Sequence, residues 1–164
     1  MNWKNPTDLR EKIIWLQFNS DTFLWTKCAD KYRVREYVEE KGSGNILNEL
    51  YGVWEKPEDI DYDCLPKSFV LKTNNSCGQI IMVKDKAKLD KVQVSRRLAK
   101  WIKAKYGYSG GAQKHYLKIK PLIITEKLMI NDTEPEQSLV DYKIWCFNGV
   151  PEMFWIALNR VKDS

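Results

Sequence analysis

Histidine is nearly missing from this chain of 164 residues: His115 is the only one, and the four cysteines (Cys28, Cys64, Cys77 and Cys146) are scattered, with no Cys-x-x-Cys pair. That excludes the usual zinc ligand sets, which need closely spaced Cys and His, and leaves reduced thiols as the simpler reading. No apolar run approaches the roughly 18 residues that cross a bilayer, so no transmembrane segment is expected. Residues 1–10 lack the apolar stretch of a signal peptide, which makes a cytoplasmic location the expectation. Internal repeats and low-complexity tracts are also missing.

A hydrophobic share of 43% beside 30% charged residues excludes a disordered chain. Seven Trp, eight Tyr and five Phe are more than average, and most should fill a core. The net charge of +5 suits an anionic ligand, such as a nucleotide or an acidic polymer, without indicating nucleic acid.

Asp8 is placed to cap a first helix, with Glu11 as its capping-box partner and Leu9, Ile13 and Leu16 at helical spacing. A second helix should begin near Asp30, bury Val34, Tyr37 and Val38, and stop at Gly42. Residues 50–54 read as a short strand and 55–65 as a surface connection. Residues 68–74 and 79–84 read as two strands joined by the polar turn Asn75-Ser76-Cys77-Gly78, too short for anything but an antiparallel hairpin. Val94, Leu98, Trp101 and Ile102 mark the apolar face of another helix, whose opposite face carries Lys91, Arg96, Arg97, Lys100 and Lys103. Residues 106–111 form a Gly/Ser/Tyr loop. Strands are expected at 122–129, 139–147 and 152–158, the last two turned by Asn148-Gly149. This order predicts an α+β fold with antiparallel sheets and packed helices, not a doubly wound sheet.

A lysine on a strand that enters a short polar turn is laid out to hold phosphate, because turn N–H groups add to its charge. Lys72, followed by Thr73, Asn74, Asn75, Ser76 and Gly78, has that layout. On pattern alone a strand that simply ends in lysine is the commoner case.

Several segments carry a resemblance. Asp30-Lys31 opening a helix, Phe69-Val70-Leu71-Lys72 before a polar hairpin, and Ile124-Thr125-Glu126-Lys127-Leu128 are similar, in that order, to the ATP-grasp nucleotide site. Asn2-Trp3-Lys4-Asn5-Pro6, residues 29–35, Val83-Lys84-Asp85-Lys86, His115-Tyr116 with Lys120-Pro121, and Asp141-Tyr142-Lys143 with Cys146-Phe147-Asn148-Gly149 resemble its TupA-like, teichuronopeptide-biosynthesis branch. The resemblance runs over nearly the whole chain.

It implies an ATP-dependent carboxylate–amine ligase of cell-wall or capsular polysaccharide or teichuronopeptide biosynthesis. ATP and Mg2+ would be the cofactors, and an acidic polysaccharide or peptide the substrate. By the same resemblance Lys31 and Lys72 contact phosphate, Glu126, Lys127 and Leu128 form the linker at adenine, and Asp141, with Lys143 beside it, takes the ribose hydroxyls. No catalytic residue and no metal ligand is assigned. The implied organisation is an N-terminal helical segment at 1–60, a lobe with the phosphate-binding hairpin and helix at 61–121, and the start of a second lobe at 122–164, with the cleft between two lobes. The family's turn is richer in glycine, so Asn75, Ser76 and Cys77 stand to crowd the phosphates. The family's metal-binding acids lie on strands after the region matched, and only Asp163 follows the last expected strand. A chain lacking the catalytic strands, with its magnesium ligands elsewhere, is therefore expected.

Each residue also has a plainer role open to it. Lys31 fits a solvated first-turn lysine and Asp141 an edge-strand charge. Glu126 fits an ion pair with Lys127 or Lys143, Cys77 a reactive thiol, and His115 a hydrogen-bonded structural residue. Two other functions compete: a nucleotide-binding lobe without turnover, and a basic, aromatic-rich binder of single-stranded nucleic acid. The latter requires clustered exposed aromatics, whereas Trp101 and Tyr37 fall on apolar helix faces.

Overall fold

The computed structural model describes residues 2, 4–108, 113–131, 134 and 139–158. Part of the expected loop at 106–111, Trp3 of the N-terminal motif and Asp163 lie outside the described residues. The chain forms two compact units, Met1–Leu128 and Met129–Ser164.

Three helices open the first unit: α1 (Leu9–Asn19), α2 (Phe23–Ala29) and α3 (Val34–Glu40). The Asp8 carboxylate accepts the Glu11 amide at 2.8 Å and so caps α1. The expected capping box closes differently, because the Glu11 carboxylate reaches past Asp8 to accept the Thr7 and Asn2 amides. The expected apolar face of α1 is a correction: Leu9, Ile13 and Leu16 are 48%, 43% and 39% exposed. Helical spacing decides which residues share a face, but not whether another element covers it. Asp30 accepts the Tyr32 and Arg33 amides and starts the turn into α3, and Gly42, at φ +74°, ends it.

The sheet of this unit is antiparallel in the order β1 (Leu50–Trp54), β4 (Ile123–Glu126), β2 (Phe69–Thr73), β3 (Ile80–Val83). Ile123–Glu126 thus belongs to the first unit's sheet, a shorter strand than the one expected over 122–129. Alternation along the strands separates two faces. Phe69, Leu71, Ile81, Val83 and Ile123 form the core with Val94 and Leu98 of α4 (Lys91–Lys103), while Trp101 and Ile102 pack at its edge. Asp90 caps α4 by accepting the Gln93 amide. The basic face of α4 is exposed as expected, with Arg97 lying over the Trp101 ring. The opposite face of the sheet carries Val70, Lys72, Ile124 and Glu126.

The second unit is the hairpin of β5 (Asp141–Phe147) and β6 (Val150–Ala157). Asn148 and Gly149 both take positive φ, 50° and 82°, the turn whose twist matches the flanking strands.

Candidate functional site

Lys72 pairs with Ile124 across the β2–β4 ladder, which makes Glu126 its diagonal neighbour on the same face. Long side chains span that diagonal. The Lys72 ammonium stands 2.5 Å from Glu126 Oε2, and the Arg35 guanidinium reaches Glu126 Oε1 at 3.8 Å. Glu126 is buried; the expected ion pairs with Lys127 or Lys143 are not those it makes. Lys127 is exposed just past the end of β4, and Lys143 pairs with Asp141.

Lys31 enters from the turn before α3. Its amide donates to Asn74 O at 3.2 Å, and its ammonium donates to the carbonyls of Thr73, at 3.2 Å, and Ser76. An ammonium carries three protons, so two hold the turn and one remains. Burial pushes the Lys31 ammonium below its usual range. Cys77 opposes this, Lys72 adds to it, and Asp30 and Glu126 oppose it more weakly. Lys31 and Lys72 therefore act on one another across the same turn. Lys31, Arg35 and Lys72 set three positive charges against the two carboxylates of Asp30 and Glu126, an excess of one at a half-buried turn.

The turn is built from hydrogen bonds between side chains. Thr73 Oγ1 donates to Gln79 Oε1 at 2.6 Å, Ser76 Oγ donates to the same oxygen at 2.7 Å, and the two hydroxyls stand 2.9 Å apart. Asn74 is a strut: Nδ2 donates to Asp30 Oδ1 and Lys120 O, and Oδ1 accepts the Leu122 amide at 2.7 Å. Gly78 takes φ +76° and closes the turn. Asn75 is buried, and its Oδ1 has no hydrogen-bond partner. Cys77 is exposed, its Sγ 3.4 Å from the Tyr116 hydroxyl. Burial pushes the Cys77 thiol up, but hydrogen bonds from Tyr116 and Tyr106 together with the Lys31 charge outweigh it, and the net shift is downward.

The remaining sequence candidates are described each within its own unit. The Lys127 amide donates to Glu49 O and its carbonyl accepts from Asn48 Nδ2, both at 2.9 Å, while Leu128 lies beyond the end of β4. Asp141 and Lys143 sit on one face of β5 in the second unit, joined by an ion pair, with Lys143 5.4 Å from the Trp155 ring centroid. His115 packs edge-on to Trp25 and beside Tyr116, and burial pushes its pKa down, which favours the neutral ring. Arg35 is the residue that sequence reasoning missed as a site member. Its spacing of four from Lys31 was the available signal, since residues four apart share a helix face.

Magnesium takes oxygen ligands in near-octahedral array. Among the described residues no three His, Cys, Asp or Glu side chains stand together as a metal site. Glu126 is held by Lys72 and Arg35, and Asp30 by two backbone amides and Asn74.

No helix among the described residues is long and apolar enough to cross a membrane. Comparison with curated proteins and with solved structures finds no match. Comparison with protein families finds one, described as TupA-like ATPgrasp, over residues 11–164. Mixed helices and antiparallel sheet agree with an ATP-grasp-like α+β fold, and ATP-grasp membership suggests ATP binding and ligase-type chemistry. This chain belongs to the TupA-like ATP-grasp family.

Proposed function

We propose that the chain binds ATP at the turn between β2 and β3 and serves an ATP-dependent carboxylate–amine ligase of cell-wall, capsular or teichuronopeptide biosynthesis. One observation carries this reading: Lys31, Arg35 and Lys72 gather around Glu126 beside a polar turn. Charge-assisted hydrogen bonds to phosphate are among the stronger polar contacts, and Arg and Lys supply them as fork and point charge. In this reading the β- and γ-phosphates take Lys72 and Arg35, with Glu126 giving up part of its hold on both. The remaining proton of the Lys31 ammonium points a third charge at the same oxygens.

In ligases of this kind a substrate carboxylate oxygen attacks the γ-phosphorus and ADP leaves. An amine then attacks the acyl phosphate carbonyl and releases phosphate. Positioning and charge neutralisation supply most of the catalysis of phosphoryl transfer. The cationic cluster is suited to both. An acidic polymer as substrate, magnesium carried with the nucleotide, a cleft between two lobes, and ribose contacts from Asp141 and Lys143 rest on family membership.

A stacking binder of single strands needs cations between its rings. The second unit does expose Tyr142, Trp145, Phe147, Phe154 and Trp155. Its described residues hold Lys143 alone as a cation, against Glu134, Asp141 and Glu152, which disfavours that alternative.

Thermal unfolding with increasing ATP tests the proposal, because a ligand that binds only the native state raises the midpoint. The wild-type midpoint should rise with ATP, and Arg35→Ala should cut that rise sharply. An ATP-independent midpoint in the wild type would refute the nucleotide site.

A further inference from the structure

The positive charge of the chain is concentrated on one stretch of the first unit. Residues 84–105 hold nine cations and two carboxylates, a net of +7, whereas the whole chain carries +5. The other residues are therefore net acidic, at −2, and the excess belongs to α4 and the segments that flank it. Eight of the nine cations are exposed. The exception is Lys86, whose ammonium donates to the carbonyls of Tyr62, Asp63 and Leu65. Of the eight, only Lys91 meets a carboxylate among the described residues, Asp63 at 3.9 Å.

Val92, Arg96, Lys100 and Lys103 follow at spacings of four, four and three, and so share the face of α4 opposite the buried Val94 and Leu98. At 1.5 Å per residue that row is about 16 Å long. Apolar side chains stand at both of its ends. Val92 is 60% exposed, and Tyr108, 73% exposed, borders the same concavity as Lys103 and Lys105. A dissolved polyanion gains little from an exposed valine. A lipid surface takes apolar side chains and tyrosine rings into its headgroup layer, and attracts clustered Lys and Arg beside them. Cations on the convex outside of a helix, bracketed by apolar side chains, therefore suit a plane of anionic headgroups better than a polymer in solution.

We propose that the outer face of α4 docks the protein on a membrane surface of anionic phospholipid. The headgroup phosphates attract Arg96, Lys100 and Lys103, whose long stems let the charges reach them while Val92 and Tyr108 settle into the headgroup layer. α4 packs on the face of the sheet that carries Phe69 and Leu71, and Lys72 and Glu126 lie on the opposite face. Docking through α4 thus turns the cluster around Glu126 away from the lipid. The inference stands independently of the nucleotide reading, since none of its residues belongs to that cluster.

Co-sedimentation of the full chain with vesicles tests it. The protein should pellet with vesicles of phosphatidylglycerol and phosphatidylcholine in equal parts, and stay in solution with phosphatidylcholine alone. A basic residue at an anionic surface is worth about fivefold in affinity, so Arg96→Gln/Lys100→Gln should weaken binding about 25-fold. Both side chains are exposed, so the melting curve should not change. Lys4→Gln/Lys12→Gln removes the same charge from exposed positions outside α4 and should weaken binding far less. Tyr108→Ser should weaken binding to the vesicles and leave binding to dissolved poly-glutamate as it is. Absence of binding to the anionic vesicles, equal binding to the neutral ones, or equal loss in the two double variants would overturn the proposal. Binding of poly-glutamate without binding of anionic vesicles would overturn it too, by assigning the face to a dissolved polymer.

Discussion

Glu126 is the residue on which the site turns. It is buried between Lys72 and Arg35, with Lys31 within electrostatic reach. Removing one partner from a buried ion pair is costly because the other charges stay behind unpaired, about 3–5 kcal/mol in general. Glu126→Gln should therefore destabilise the unliganded chain by a sizeable part of that range, and tripolyphosphate should restore more stability to it than to wild type. Denaturant melts with and without tripolyphosphate would read both effects; a variant as stable as wild type would mean that the cations do not depend on Glu126. Cys77 offers a pH-dependent test. Its thiol is shifted down by Tyr116, Tyr106 and Lys31 against burial, whereas hydrogen bonding to Asp61 pushes the Cys64 thiol up. The thiolate is the reactive form. As pH rises, iodoacetamide should label Cys77 before Cys64, and Lys31→Met should move the Cys77 profile to higher pH. Peptide mass spectrometry reads this order, and Cys64 labelling first would contradict the assigned surroundings. Lys72 was legible in the sequence because strand alternation and the turn are local signals. Its pairing with Glu126 was not, since that partner lies 54 positions away and the register of β2 on β4 is set by the fold.

Among the elements, α4 shows where periodicity succeeds and α1 where it misleads. Val94 and Leu98 are buried against β2 and β3, as their spacing predicted. Leu9, Ile13 and Leu16 have equally regular spacing, but α1 buries none of its residues. Leu98→Ala should cost about 2–5 kcal/mol, the usual range for a deleted core leucine. Leu16→Ala should stay within about 1 kcal/mol, because a partly exposed side chain leaves little cavity. Urea melts of the two variants would separate them; similar losses would mean that α1 is covered in solution. The hairpin of β2 and β3 and the β5–β6 turn were legible from turn chemistry, Asn148-Gly149 most clearly. The short helix α2 was missed: its cap residue, Thr22, makes no side-chain capping bond, and seven residues are too few to display a period. The end of β4 was overestimated because apolar residues continue past Glu126 after strand pairing has stopped.

At the scale of the whole molecule, a family spanning residues 11–164 and a cationic turn in the first unit point to the same ligand chemistry. The excess positive charge of the chain adds a long-range attraction for polyanions, which salt screens. The family resemblance carried what local pattern did not, because the cluster is assembled from residues near 31, 72 and 126 that only the fold brings together. The most direct test of the account is isothermal titration of ATP and of tripolyphosphate into wild type and Lys72→Ala at one fixed salt concentration. Loss of a charge-assisted contact costs roughly 1.5–3 kcal/mol, or about 10- to 150-fold in affinity. The account predicts that both ligands bind the wild type and that both weaken by that factor in the variant, since the phosphates are common to them. Equal affinity of ATP for wild type and Lys72→Ala, with the variant folded, would contradict it.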